Sequence, residues 1–114
     1  MPMPGHERGV IPEAKIRDYL LNPTHSRGRD KSRFFTSLGF VREEWEALDR
    51  AIRRDHLDAL DGESLGDHPW GHKYKIEGDL EGPEGKIAWV RTLWIYRPDE
   101  DFPRFVTAYP RHKP

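Results

Sequence analysis

A chain of 114 residues with 35% apolar and 34% charged side chains builds one domain around a modest core, for which 4 Trp, 4 Tyr and 5 Phe supply the bulk. The absence of cysteine excludes a disulfide framework and any thiolate-ligated zinc or iron–sulfur centre. With 19 Lys plus Arg against 20 Asp plus Glu the formal charge is -1, which excludes nucleic-acid binding by bulk charge and leaves only a local patch for such a contact.

Residues 1–10 are rich in Pro and Gly and lack periodicity, so they are expected to form a flexible arm ahead of a single domain at 11–114. The arm has no hydrophobic core for a signal peptide, and no apolar run reaches the roughly 18 residues of a membrane span, so a soluble cytoplasmic domain is expected. Ile11-Pro12 opens a first helix, with Glu13 at its positive end and Ile16, Tyr19 and Leu20 at helical spacing. Asn22-Pro23 stops it, because the residue before a proline is pushed out of the helical region. The segment Thr24-His25-Ser26-Arg27-Gly28-Arg29 is polar and turn-prone. Asp30 then caps a short helix carrying Phe34, Phe35 and Leu38, which Gly39 ends.

Val41, Trp45, Leu48 and Ile52 form one apolar stripe on a third helix, opposite a solvated charged face carrying Arg42, Glu43, Glu46, Asp49, Arg50 and Arg53. The Gly, Ser, Asp and Pro content of Asp61 to Pro69 predicts a loop. From Lys73 the period becomes two, with Tyr74, Ile76 and Leu80 alternating with charged residues, as in a strand with one wet face. Ile87 to Tyr96 is apolar on both faces, as a central strand would be, and Phe105 to Tyr109 forms the last strand. The expected class is α+β, with N-terminal helices packed on one face of a three- to four-stranded antiparallel sheet.

Three groups of residues could carry chemistry. His25 lies among Arg27, Arg29, Lys31 and Arg33, the densest basic cluster; a histidine exchanges protons near neutral pH, and guanidinium groups hold phosphate. That pairing suits transfer of an RNA 2′-hydroxyl onto its adjacent phosphate, although a solvated loop whose histidine helps a helix start has the same composition. Thr107 and Tyr109 are two apart on one strand and share a face. Arg91 either packs its stem over apolar neighbours or places a cation beside the same site, while Lys73 and Lys75 extend a groove or protect an edge. His68 and His72 have a Pro and a Gly between them and no carboxylate at a matching helical spacing, so neither metal nor cofactor is expected. No serine sits in a glycine-flanked elbow.

Leu21-Asn22-Pro23, His25, Lys31-Ser32-Arg33-Phe34-Phe35, Leu38-Gly39-Phe40, Lys73-Tyr74, Arg91-Thr92-Leu93-Trp94 and Val106-Thr107-Ala108-Tyr109-Pro110 together resemble an uncharacterised family of small bacterial domains. Its members occur alone or at the C-terminal tips of polymorphic-toxin-like proteins, and the resemblance runs from about Ile11 to Pro110. The order of elements is also similar to the barnase/EndoU/colicin/RelE superfamily of metal-independent ribonucleases. That resemblance implies His25 as general acid or base and Arg27 or Lys31 on the scissile phosphate, with Arg29 in the same basic cluster. It further implies Thr107 and Tyr109 on the phosphate or its developing charge, and Arg91 steadying it. An antitoxin or immunity protein is the implied partner and unpaired RNA the implied substrate. The competing expectation is a non-enzymatic binding module of antitoxin or immunity type, anchored by exposed aromatics among Trp70, Trp89, Trp94 and Tyr96.

Overall fold

The helix-forming first half and the alternating second half become two layers in the computed structural model, which describes residues 1–27 and 29–114. Gly28, within the segment expected to be turn-prone, lies outside the described residues. The fold is α+β, and among the described residues three helices precede a four-stranded antiparallel sheet with its strands in chain order. Helix α1 starts as an α-turn at Glu13–Lys15 and widens into a π-helical turn at Ile16–Leu20, closed by the Leu21 N–H donating to the Ile16 carbonyl at 2.9 Å. Helix α2 spans Arg29–Ser37, and α3 spans Glu46–Ile52 and continues as a second π-helical turn at Arg53–Leu57. The strands are β1 (Glu63–His68), β2 (Gly71–Glu81), β3 (Ile87–Tyr96) and β4 (Arg104–Pro110).

Local chemistry sets the helix boundaries. Asn22 closes α1: its side-chain N–H donates to the Asp18 carbonyl and its Oδ1 accepts from the Thr24 N–H. Helix α2 ends with Gly39 at φ +100°; the Phe40 N–H donates to the Phe35 carbonyl at 3.2 Å and the Gly39 N–H to the Thr36 carbonyl at 2.9 Å. This paired bonding, with Phe35 and Phe40 both buried beside it, needs a left-handed residue at the turn, which glycine adopts without steric cost. Asp30 lies inside the first turn of α2 rather than before it, where its charge still faces the positive helix end.

Two expectations are corrected. Val41 is 42% exposed and leaves the apolar stripe, because Arg42–Glu44 form a 3₁₀ turn whose three-residue period shifts the phase before α3 begins. The stretch expected as a loop holds β1, paired from Glu63 with Lys75 to His68 with Gly71. A bulge between Ser64 and Gly66, with Gly66 at φ +88°, breaks its alternation, and as an edge strand it buries too little to carry an apolar pattern.

Period-two alternation divides the sheet into two faces. Ile76, Gly78, Leu80, Val90, Thr92, Trp94 and Ala108 face the helices, where they pack against Ile16, Leu20, Phe35, Leu48, Ile52 and Leu57. Residues of the opposite parity, Glu77, Arg91 and Tyr109 in one row and Lys75, Leu93 and Thr107 in the next, pair across strands on the face away from them. The first ten residues, expected as an arm, include a 3₁₀ turn at His6–Arg8 and a buried Met3, and Val10 bridges Arg104. Among the described residues no helix is long and apolar enough to cross a membrane.

His56, Thr92 and Trp94 join the layers through a buried polar chain. Trp94 Nε1 donates to Thr92 Oγ1 at 2.9 Å, the Thr92 hydroxyl to His56 Nδ1 at 2.9 Å, and His56 Nε2 to the Gly78 carbonyl at 3.2 Å. Gly78 also makes room beside this chain for Leu60, whose Cδ1 would lie 2.4 Å from a Cβ there. Burial holds the His56 imidazolium unfavourable and lowers its pKa below 6.5, so the ring is neutral and each group in the chain finds a partner. His56→Ala is expected to destabilise the fold by about 3 kcal/mol near pH 7, by cavity formation and by stranding Thr92 and Gly78. Because the folded pKa lies below the unfolded value, His56 contributes fully above pH 6.5, and that contribution declines as the pH falls toward the folded value. The gap between wild type and variant in urea unfolding should therefore narrow between about pH 7 and pH 5.5.

Candidate functional site

Residues from α1, the following loop and β4 meet in one cleft of about 430 Å³, lined by Lys15, Tyr19, His25, Arg27, Val106 and Thr107. Lys15 and Tyr19 are four apart in α1 and so share a face. The stop at Asn22-Pro23 turns the chain back so that His25 lies against Tyr19, edge-on, with ring centroids 5.1 Å apart. The Arg29 N–H donates to the His25 carbonyl at 3.0 Å and ties this loop to the start of α2. The Arg27 N–H donates to His25 Nδ1 at 3.0 Å, so the neutral ring carries its proton on Nε2.

Lys31 connects the helical layer to the edge strand. Its ammonium donates to Tyr19 Oη and, at 3.2 Å, to Thr107 Oγ1, and lies 4.9 Å from the Tyr19 ring centroid and 5.8 Å from that of Tyr109. The Thr107 hydroxyl in turn donates to Tyr19 Oη at 3.5 Å. Burial of Tyr19 acts to raise its pKa, but the hydrogen bonds from Lys31 and Thr107 and the charges of Lys31 and Lys15 outweigh it, and the phenol lies below its ordinary value of 10.0.

Arg91 and Tyr109 adjoin this group on the uncovered face. Arg91 Nη1 donates to Tyr109 Oη at 3.3 Å, and its Nε to Glu77 Oε2 at 2.5 Å across the β2–β3 pair. Of the two readings open for Arg91, the structure shows a cation beside Tyr109, already ion-paired. Burial acts to raise the Glu77 pKa, but Arg91 and Lys75 outweigh it and hold the carboxyl below its usual value. Lys75 is ion-paired with Glu63 and Glu77 on β2, which β1 and β3 flank, so it protects no sheet edge and its charge is already engaged rather than extending a groove. Arg27 borders the cleft, whereas Arg29 and Arg33 are exposed along α2 and are not among its lining residues.

Charge separates this cleft from a second one of about 450 Å³, lined by Arg54, Asp55, Glu77, Asp79, Glu81 and Trp89 among others. Unit charges about 4 Å apart interact by roughly 4 kcal/mol at a protein surface, so the acidic cleft repels an anion that Lys15, Arg27 and Lys31 attract. A third group has the bond order of a nucleophilic triad: His72 hydrogen-bonds Ser64 Oγ through Nε2 and Asp67 Oδ1 through Nδ1, both at 2.6 Å. The Asp67 side chain is 89% exposed, so water screens its field, and with Ser64 Oγ also accepting from the Gly66 N–H the group pins the β1 bulge.

The structure brings His25, Arg27, Lys31 and Thr107 to one place and adds Lys15 and Tyr19 to them. In sequence Tyr19 is part of an apolar helix stripe; its spacing from Lys15, which puts a phenol and an ammonium on one face, is the signal that marks it. Of the aromatics considered as anchors, Trp70 is 66% exposed, Trp89 and Tyr96 are half-buried, and Trp94 is a core residue.

Residues 2–112 match the family described as Domain of unknown function (DUF6883). No curated protein matches the chain. Among solved structures, a chain of the contact-dependent growth inhibition toxin–immunity protein complex from Klebsiella pneumoniae 342 is similar, with a TM-score of 0.61 and 17% identity over 90% of this chain and 99% of that one. At that identity the likeness is one of fold.

The Arg91–Glu77 pair gives a pH-dependent expectation. Arg91→Met should cost about 1 kcal/mol at neutral pH by leaving the half-buried Glu77 carboxylate with only the more distant Lys75. Since the folded Glu77 pKa lies below 4.5, the pair's contribution is full above that value and is lost as the pH falls through the folded one. Denaturation of wild type and variant should converge in acid.

Proposed function

We propose that this chain, which belongs to the family described as Domain of unknown function (DUF6883), is a toxin-associated ribonuclease domain that cleaves RNA by 2′-hydroxyl attack on the adjacent phosphate, with no metal, leaving a cyclic phosphate. The observation that carries this reading is the convergence of His25, Tyr19, Lys31 and Thr107 on one cleft bordered by Lys15 and Arg27. These groups supply what the reaction needs: cations for the phosphate, proton-exchanging side chains, and donors for the charge that grows on the phosphoryl oxygens.

In this reading Arg27 and Lys15 receive the scissile phosphate, and the exposed Arg29 draws the strand toward it. His25 donates through Nε2 and Lys31 through its ammonium, which Thr107 holds at the cleft, so that both stabilise the pentacovalent transition state; one such donor is worth about 3 kcal/mol. Tyr109 and Arg91 continue the donor set along the uncovered face, where Tyr109 offers a ring to an unstacked base. The fold likeness to a chain from a toxin–immunity complex supports a toxin setting, and with it an antitoxin or immunity partner.

A second reading, a non-enzymatic module of antitoxin or immunity type, draws on the same fold likeness and on Trp70, 66% exposed beside the β1–β2 turn with Leu65 exposed on β1. A partner docked there would not use His25. One experiment separates the two. His25→Ala is expected to lower cleavage of single-stranded RNA by about 100-fold or more and to abolish growth inhibition, while thermal stability changes little. Wild-type protein that neither cleaves RNA nor slows growth would sink the ribonuclease reading.

A further inference from the structure

Resting on that reading, we infer that Tyr19 is a catalytic residue, the group that accepts the proton of the attacking 2′-hydroxyl, with Lys31 and Thr107 positioning its oxygen and His25 acting as a hydrogen-bond donor rather than the base.

The hydrogen-bond directions argue for this division. His25 spends its Nδ1 lone pair on the Arg27 N–H and therefore presents a proton, not a lone pair, at Nε2. Tyr19 is arranged the opposite way: its oxygen accepts from the Lys31 ammonium and from the Thr107 hydroxyl, and donors aimed at an oxygen favour its anionic form. Thr107 itself accepts from Lys31 and passes the polarisation on to Tyr19, so one ammonium stabilises the phenolate directly and through the threonine. The groups facing Tyr19 are Lys15 from its own helix, His25 from the loop, Lys31 from α2 and Thr107 from β4. Their sum favours negative charge on Tyr19, consistent with a pKa lowered from its ordinary value.

The step balances without an external reagent other than water. Tyr19 Oη takes the 2′-hydroxyl proton, and the 2′ oxygen bonds to phosphorus as the bond from phosphorus to the 5′ oxygen breaks. The electron pair leaves on the 5′ oxygen, which takes a proton from water. The hydroxide so formed removes the proton from Tyr19 and restores the phenolate. His25 Nε2–H and Lys31 hold the non-bridging oxygens throughout.

The test combines cleavage with a direct titration of the phenol. Of the 4 tyrosines, Tyr96 is pushed up to about 12 by burial beside Tyr74 and Glu7, so ionisation below the ordinary range stands apart from it. Phenolate absorbance in wild type should show a tyrosine ionisation below 10.0 that is absent in Tyr19→Phe and shifted upward in Lys31→Met, whose Tyr19 keeps its burial but loses the ammonium. Wild-type cleavage should rise with pH as this phenol ionises, and Tyr19→Phe should lose about 100-fold together with that rise. His25→Ala should lose rate but keep the rise. Cleavage unchanged in Tyr19→Phe, or a pH rise that survives in it, overturns the assignment while leaving the ribonuclease reading intact. A normal titration of Tyr19 overturns it as well, and wild type that cleaves no RNA removes both. Unfolding temperature, with Lys31→Met as the second variant, separates lost chemistry from lost folding.

Discussion

Polar groups inside an apolar interior must satisfy one another, and the chain from Trp94 through Thr92 and His56 to the Gly78 carbonyl meets that requirement where the two layers touch. It couples the π-helical turn after α3 to β2 and β3, and its directionality requires a neutral imidazole. A shift of β2 by one residue would remove Gly78 from beneath His56 and turn Ile76 and Leu80 to the face away from the helices. The placement of every other strand residue follows from that register.

One consequence is the division of labour between faces. A single helical layer covers residues of one parity, so Leu80, Val90 and Ala108 become core, while Arg91, Thr107 and Tyr109 are left outside it. The second consequence lies at β4. With α3 bound to β2, helices α1 and α2 lie over the β4 side, and Lys31 spans from α2 to Thr107. A long, flexible side chain is an economical joint there, because its stem covers apolar surface while its ammonium reaches two oxygens. The site thus forms at a seam between layers, where the chain stop at Asn22-Pro23 delivers His25 and Arg27.

Much of the fold was legible in the residues. The period change near Lys73, the apolar run of β3, the Gly39 cap and the Asn22-Pro23 stop all lie where local physics places them, since each depends on neighbours within a few positions. β1 was not legible, because an edge strand with a glycine bulge has the composition of a loop. Val41 left its stripe because a 3₁₀ turn has a different period from the helix it precedes. His56 continues the Leu48 and Ile52 stripe at i+4, yet no local pattern marks a histidine there as core, since only a facing Thr92 makes it so.

The site divides in the same way. His25, Arg27 and Lys31 are close in sequence, so their cluster was visible directly, and the shared face of Thr107 and Tyr109 follows from strand parity. The meeting of these two groups, the choice between the two readings of Arg91, and the presence of Tyr19 and Lys15 in the cleft depend on contacts such as the 76 residues separating Lys31 from Thr107. Periodicity and capping are local and are written in sequence; register and layer packing are set by burial across the whole chain. The sequence by itself therefore determined which elements form and which residue types they carry, and the tertiary structure alone decided that Lys31 lies between a phenol and a threonine hydroxyl.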